Sequence, residues 1–345
     1  MLETIDHRLN LKKLLLGTLS QEDSLAYIAC LSEIAALQQD LFNLTIETVR
    51  GEIATAGSGL FTNAGTLVDC CGTGGSGLSH YNTSTTVAFV LAAAGLKVTK
   101  FGNRAASNRS GSFDLLDQLA IGAVLPLQAL PEVLEKTNLA FLFAPQFYPT
   151  LATLAPLRRL FGKPTVFNYI GPLLNPASPS YRLIGVPDQA IQTLVANHLQ
   201  QENKIEQAAV VNARSGLDEL DVLAVNNIIS IYRGGSPGGS QSDDNKNELV
   251  MHKSTIDPAH SFALTGKREG FLTAEDNRLI FTSLIDGQLA EDNYYHALVC
   301  LNAGQALQIS RQVSDLAEGI KLASKLIKDG SVQAKFLQFQ KHFKQ

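Results

Sequence analysis

Apolar residues recur at helical spacing early in the chain, at Leu25, Ile28, Leu31, Ile34, Leu37 and Leu41, behind a Ser20-x-x-Asp23 start signal. The pattern predicts helix throughout residues 1 to about 65, a small helical unit. Beyond it the period changes. Short β-rich pieces (TLVD, LKVTK, AFLFA, RLIGV, AAVVNA) alternate with helical segments, the signature of a mainly parallel sheet wrapped by helices. The longest apolar run, Val87 to Leu96, is far short of the roughly 20 residues a bilayer span needs and predicts a buried helix. Gly234 to Asn247, GGSPGGSQSDDNKN, has turn formers and charges without periodic apolar residues, so it is expected to be an exposed, mobile loop carrying no chemistry. Helical character returns from about Thr273, and the close KFLQFQKHFKQ reads as a solvated amphipathic helix. The expected fold class is α/β: a small all-helical domain plus a large α/β domain with a mainly parallel sheet flanked by helices.

Composition narrows the function classes. In 345 residues, 45% apolar and 17% charged side chains fit a soluble globular protein of roughly two domains. With 28 basic against 32 acidic residues the net charge is -4, which argues against a large nucleic-acid footprint, though local basic pockets remain open. No stretch joins a basic start, an apolar core and a small-residue cleavage site, so a cytoplasmic chain without membrane partners is expected. Cys30, Cys70, Cys71 and Cys300 lack metal-ligand spacing and are read as reduced, mostly structural thiols.

The chemistry concentrates first at residues 69–85, DCCGTGGSGLSHYNTST. Glycines this dense sit badly in a helix or strand and make a loop that lets a ligand approach the peptide groups. Gly72-x-Gly74-x-x-Gly77 formally matches a dinucleotide fingerprint, but no Asp or Glu occurs between Cys70 and Phe113 to grip a ribose hydroxyl. A phosphate loop is excluded too, since no Lys-Ser or Lys-Thr closes the glycines. Two readings survive. Either free N–H groups, Asn82, Thr83, Ser84, Thr85 and a helix N-terminus converge on an anion, or the segment is an ordinary helix cap beneath a flexible turn. Two further elements favour the first. Lys100-Phe101-Gly102-Asn103-Arg104 follows LKVT and puts a cation at a strand's carboxyl end, where open α/β sheets bind ligands. Gly216-Leu217-Asp218-Glu219 follows AAVVNA and puts two carboxylates at the same edge, either solvated or magnesium ligands beside a phosphate.

With these elements in order, the chain resembles the anthranilate phosphoribosyltransferases, within the wider nucleoside phosphorylase and phosphoribosyltransferase family. The resemblance runs through DCCGTGGSG, NTST, KFGNRAASNRSGSFDLLDQL, FAPQFYPTLATLAPLRRLFGKPTVFNYIGPLLNPA and GLDELDV, nearly the whole chain. It implies transfer of the phosphoribosyl group from phosphoribosyl pyrophosphate to anthranilate in tryptophan biosynthesis, with Mg2+ and a homodimer formed through the helical parts. It also implies a helical domain of residues 1–65 with about 150–180, and an α/β domain of 66–149 with about 181–345. By matching position, Gly72, Thr73, Gly74, Gly75 and Asn82 hold the diphosphate, with Thr85 and Ser107 beside them. Ser84, Asp218 and Glu219 reach it through Mg2+, and Lys100 neutralises the phosphoribosyl ligand. Gly72, Asn103, Arg158 and Tyr148 fall to anthranilate, Arg158 suiting its carboxylate because a guanidinium offers paired donors. No residue is required as nucleophile or base, because an arylamine is uncharged at neutral pH.

Each position has a plainer reading beside it. Arg158 can complement the C-terminus of its helix, and Asn103 can sit in a left-handed turn. Arg104, Ser107 and Asn108 can brace the loop, and Asp114 and Asp117 read as helix-start charges. Three positions depart from the family pattern: Ser76 stands for Asp, Phe101 for His, and Tyr148 for His. Phe101 removes a donor and an acceptor, whereas Tyr148 keeps a hydroxyl for a contact. Other readings therefore stay open: a paralogue using another aromatic amine, or a catalytically silent relative that binds nucleic acid or protein. A pyrimidine nucleoside phosphorylase shares the architecture, but its substrate segment after the lysine is missing here.

Overall fold

The N-terminal pattern is realised as α1 (Thr4–Leu15), α2 (Gln21–Ala35) and α3 (Gln39–Arg50) in a computed structural model. It describes residues 4–343 except 36–37, 75, 77–80, 106–109, 123, 234–248, 259–261, 263 and 265–271. Leu37, Gly75, Ser107, Asn108 and the 234–247 loop thus lie outside the described residues. The Ser20 signal is used as expected: its Oγ donates to Asp23 Oδ2 at 2.6 Å and accepts from Asp23 N at 3.1 Å, and Ile28 and Leu31 behind it are fully buried. The helix does not reach residue 65. After Arg50 the chain runs in turns with one short 3-10 segment, Thr55–Gly57, because glycines at 51, 57, 59 and 65 break it, two of them at positive φ.

The α/β part begins with β1 (Val68–Gly72), α4 (Thr83–Ala93) and β2 (Val98–Gly102). There follow α5 (Ser112–Gln118), α6 (Leu130–Thr137), β3 (Leu139–Phe143) and four short helices, α7 (Ala144–Phe147), α8 (Pro149–Thr153), α9 (Ala155–Phe161) and α10 (Val166–Ile170). The sheet resumes with β4 (Tyr181–Gly185), α11 (Gln189–Gln200), β5 (Gln207–Ala213), β6 (Asn226–Arg233) and β7 (Leu249–Ile256). Four helices close the chain: α12 (Ala274–Ile285), α13 (Tyr294–Ile309), α14 (Leu316–Lys328) and α15 (Ser331–His342).

Strand order is β3-β2-β1-β4-β5-β6-β7, parallel from β3 to β5 and antiparallel for the last two pairs. The pattern reading stops at AAVVNA and misses β6 and β7. Edge strand β7 buries few of its side chains, so its LVMHKSTI carries little apolar signal. Side-chain alternation splits the sheet between two cores. Val68, Cys70 and Val98 pack with α4 and the C-terminal helices, while Phe101, Leu142, Ile184 and Val210 share one core with the N-terminal helices and α11. The closing helix is amphipathic as expected and docked rather than free: Phe336 and Phe339 each sit 5.6 Å from the Phe89 ring.

The order reverses between β1 and β4, since connections from β1 lead outward to β2 and β3 and the chain then returns to β4. A crevice at the carboxyl ends of those two strands is the position such sheets offer a ligand.

Candidate active site

Gly72 ends β1 and pairs in register with Gly185 at the end of β4. Both glycines are needed for one reason: the Asp218 loop presses on them. A Cβ built on Gly72 falls 2.5 Å from the Asp218 carbonyl oxygen, and one on Gly185 falls 1.9 Å from it. The turn after β1 closes over the same carboxylate. Gly74, at φ +66, donates its N–H to Asp218 Oδ2 at 2.5 Å, and Thr73 Oγ1 donates to that oxygen at 3.2 Å. Glu219 turns to the start of α4, where Thr83 Oγ1 donates to its Oε1 at 3.0 Å. Asp218 and Glu219 are 2% and 8% exposed, so they are not solvated surface charges. Asn302, on α13, fixes the next residue through both backbone groups of Leu220, at 3.0 and 2.9 Å.

Gly72, Thr83, Asp218, Glu219 and Asn302 line a cleft with Cys70, Cys71, Ser84 and Gly185. At about 20 Å³ it is water-sized with the glycine turn closed on Asp218. The donor set is all oxygen, two carboxylates and the Thr83 and Ser84 hydroxyls, which suits a hard cation sharing a phosphate ligand. Among the described residues no three His, Cys, Asp or Glu side chains cluster as a self-sufficient metal site. Two carboxylates plus substrate oxygens fit magnesium better than a fully protein-ligated ion.

Other expected donor-side residues differ in detail. Asn82 does not cap α4 with its side chain; its Nδ2 donates across to Ser110 Oγ at 2.8 Å, and its N–H donates to Asn277 Oδ1 at 2.8 Å. Thr85 is buried and is not part of the cleft lining. Lys100 is 3% exposed and its Nζ donates to the Cys70 carbonyl at 3.1 Å, behind the cleft rather than in its lining. The Asp69 carboxyl lies at the base of β1; burial pushes it up, opposed by Lys100, Asn175 and Arg182. Burial also pushes the Cys70 thiol up to about 12, and its Sγ lies 3.4 Å from the Ser84 carbonyl, an unreactive packed thiol. All four cysteines are free.

The turn after β2 is braced from α5. Asp114 Oδ2 accepts from Ala105 N and Gly111 N, each at 2.8 Å, and Arg104 pairs with Asp117 at 2.9 Å while lying over the Phe143 ring. Asp117 is thus a loop brace and not a helix-start charge. Asn103 has no left-handed backbone; its exposed side chain accepts from Arg104 N at 2.8 Å.

The residues expected to meet anthranilate, apart from Gly72, lie outside the lining of this cleft, and Arg158 and Tyr148 are held by side-chain packing. Arg158, half-buried on α9, donates from Nη2 to Asn168 Oδ1 at 3.1 Å and so does not serve its own helix end. That is its one side-chain hydrogen bond among the described residues, and burial works against its charge, an arrangement that favours an incoming carboxylate. Tyr148 does not offer its hydroxyl. The OH donates to the Leu174 carbonyl at 2.9 Å, and burial pushes the phenol up to about 12. Beneath lies a buried charge cluster. Arg50 donates to the Leu173 carbonyl and pairs with Glu202, which also meets His198 Nε2 at 3.1 Å and Arg182 at 3.7 Å.

Gly185 and Asn302 lay beyond the sequence reading, because their roles exist only through contacts across the fold. Thr83 was legible as a hydroxyl at the helix start but not as the partner of Glu219. Cys70 and Cys71, read as structural thiols, both line the cleft.

The β1/β4 crevice thus holds a glycine turn and two buried acids at the place where open α/β sheets bind ligands. The model of the "Glycosyl transferase family, a/b domain" matches residues 64–333, and the chain belongs to that family. Its similarity within it is to anthranilate phosphoribosyltransferases. The enzyme of that name from Caldicellulosiruptor saccharolyticus is 36% identical over 282 residues, 80% of this chain and 77% of the relative. That of Synechococcus elongatus is 34% identical over 337 residues, 98% and 91%. The crystal structure of the Thermus thermophilus enzyme aligns over 100% of this chain and 97% of that one, at 26% identity and TM-score 0.80. The Saccharomyces cerevisiae enzyme, solved in complex with phosphoribosyl pyrophosphate and Mg, shares the fold at TM-score 0.81 and 21% identity.

Proposed function

We propose that this protein transfers the phosphoribosyl group of phosphoribosyl pyrophosphate to anthranilate and releases pyrophosphate, a step of tryptophan biosynthesis. The observation that carries the reading is the meeting of the Gly72–Gly74 turn with Asp218 and Glu219 at the β1/β4 switch point. Names of relatives across nearly the full chain support it.

The reaction displaces pyrophosphate from the anomeric carbon by an aryl amine, through a ribosyl centre carrying positive charge, with inversion. The glycine turn binds the diphosphate through the Gly74 N–H it now directs at Asp218, together with Thr73, Gly75 and the start of α4 at Asn82 and Ser84. Lys100 offsets charge behind the ribosyl phosphate. Asp218, Glu219 and Ser84 would hold Mg2+, which when bound supplies neutralisation of the charge gathering on the departing diphosphate. Arg158 clamps the anthranilate carboxylate, and Asn103 and Gly72 orient the amine toward the sugar. No side chain is assigned as base.

The chain is read as a cytoplasmic homodimer. Exposed Leu9, Leu16 and Leu160, all on the helical side, support an interface there, and four free thiols suit a reducing compartment. The helical unit and the α/β unit are read as the two domains whose approach encloses the substrates. The test is direct: with phosphoribosyl pyrophosphate and Mg2+, anthranilate fluorescence falls with time, and chelation stops it. Unchanged fluorescence where a conventional family member consumes anthranilate removes the assignment.

A further inference from the structure

Helix α13 is buried along nearly its whole length and reaches both sides of the cleft. Tyr295, in its first turn, meets the Tyr81 ring edge to face, centroids 5.6 Å apart at 63°, just ahead of α4 with Thr83 and Ser84. Asn302 stands seven residues on, two turns along the same helix face, and reaches the acid loop. Its Oδ1 accepts from Leu220 N at 3.0 Å, and its Nδ2 donates to the Leu220 carbonyl at 2.9 Å. The second Nδ2 hydrogen goes to the Leu298 carbonyl, one turn back, at 2.9 Å. The amide therefore has no hydrogen left for a ligand, although the residue lines the cleft. Leu220 is fully buried, so water cannot replace either of its bonds. Two residues beyond, Gly304 sets α13 against α14 by backbone alone: a Cβ there would fall 2.7 Å from Ile320 N. The clamp is thus mounted on a support that side-chain rotation cannot shift.

We propose that Asn302 is a positioning residue for the divalent cation: by holding both peptide groups of Leu220 from α13, it sets where Asp218 and Glu219 stand relative to the start of α4, without touching metal or substrate itself. The inference rests on the magnesium reading above and deepens it. Leu220 follows Glu219 directly, so fixing its two peptide groups removes the backbone freedom that would let the carboxylates turn. Mg2+ demands near-octahedral geometry at about 2.0–2.1 Å from its oxygens, and groups that orient its ligands are worth about tenfold or more in metal affinity. The Gly74 amide belongs to the turn after β1 and makes no bond to Asn302, so loss of the clamp should fall on the magnesium-dependent part of binding.

The experiment measures the Kd for phosphoribosyl pyrophosphate by calorimetry across a series of Mg2+ concentrations, with no acceptor present. Wild-type protein should bind more tightly as Mg2+ rises. In Asn302→Leu, which keeps the volume and loses the hydrogen bonds, the Mg2+ concentration that gives half of that tightening should rise about tenfold, while the Kd without Mg2+ stays within about twofold. Asn302→Gln keeps the amide one methylene further out and should raise the midpoint about threefold; it serves as the test if the leucine variant does not fold. Cys300→Ala supplies the control. It lies on the opposite side of α13 from Asn302, facing Ser324, and should lower the urea midpoint of unfolding without moving the magnesium midpoint. An unchanged magnesium midpoint in the Asn302 variants overturns the proposal. So does an equal loss of affinity with and without Mg2+, or a Cys300→Ala midpoint that moves as far as theirs, since either would mean general loosening. A wild-type Kd indifferent to Mg2+ removes the magnesium reading and takes the clamp with it. Magnesium-dependent binding that the Asn302 variants share with the wild type removes the clamp alone.

Discussion

On the donor side of the cleft, backbone does the positioning: Gly72 and Gly185 let the Asp218 loop sit against two strand ends, and an amide of the glycine turn meets its carboxylate at 2.5 Å. On the acceptor side, side chains do it: Phe101 on Tyr148, Tyr148 on the Leu174 carbonyl, Arg50 on the Leu173 carbonyl and on Glu202. The donor half, which the proposed function gives a diphosphate, combines two acids with strand-end glycines that leave no room for a side chain. The other half, which the proposed function gives the aromatic acceptor, is built of side chains that can change one at a time. The departures Phe101 and Tyr148 fall in the half that can vary, and they touch each other.

The largest effect should come from the donor half. Asp218→Asn with Glu219→Gln keeps the shapes and removes the charges that would hold Mg2+; magnesium-dependent turnover should fall about 10³-fold or more. Steady-state assays across a magnesium titration check this, and retained activity would take both residues out of the metal role.

Glu202 probes the scaffold of the acceptor half. Burial raises its carboxyl, but Arg182, His198 and Arg50 outweigh that and hold it well below the usual carboxylate range. Glu202→Gln leaves two arginines without their anion and should cost about 3 kcal/mol in urea unfolding near neutral pH. Because the folded group is the stronger acid, its contribution is complete above the unfolded pKa of about 4.3 and is lost as pH falls toward the depressed folded value. The gap between wild type and variant should therefore narrow steadily below about pH 4. A gap independent of pH would mean the carboxylate charge contributes nothing.

A smaller effect tests whether the donor half truly depends on bare backbone. Gly185→Ala puts a methyl group 1.9 Å from the Asp218 carbonyl oxygen, which is rigid loop backbone and not a movable side-chain tip. The loop must shift, at a cost of about 1–3 kcal/mol, and affinity for phosphoribosyl pyrophosphate should weaken with it. Calorimetric unfolding and ligand titration read the two effects separately. Wild-type affinity in this variant would show that the close approach is incidental.

The same contrast explains what was legible in the amino-acid sequence. The donor half announced itself because the glycines and the Asp218-Glu219 pair are local signals after strands, whereas Lys100, expected at a strand's end, sits in the middle of β2 behind the cleft. Helices α2 and α4 and strands β1 to β5 followed from period alone, although the helix predicted to residue 65 ends at Arg50 where glycines enter. Edge strand β7 escaped because it buries few of its side chains and so carries little apolar signal. The acceptor half was legible only by resemblance, and its geometry was not: that the Tyr148 hydroxyl is consumed by Leu174, 26 residues on, is a property of the folded corner and not of either segment.

The finest test of the contrast lies in Arg158. If the acceptor half recognises its carboxylate through a planar pair of donors, charge alone should not suffice. Arg158→Lys keeps the charge but gives up the fork, and the remaining hydrogen bond that now orients the guanidinium on Asn168 at 3.1 Å goes with it. The KM for anthranilate should rise about tenfold while the KM for phosphoribosyl pyrophosphate stays within about twofold, the pattern of a lost ground-state contact confined to one substrate. Were Arg158 only a helix brace, both constants would move together through altered packing, or neither would. A lysine variant with wild-type constants for both substrates would return Arg158 to the scaffold and leave the carboxylate to be held from the Asn103 side.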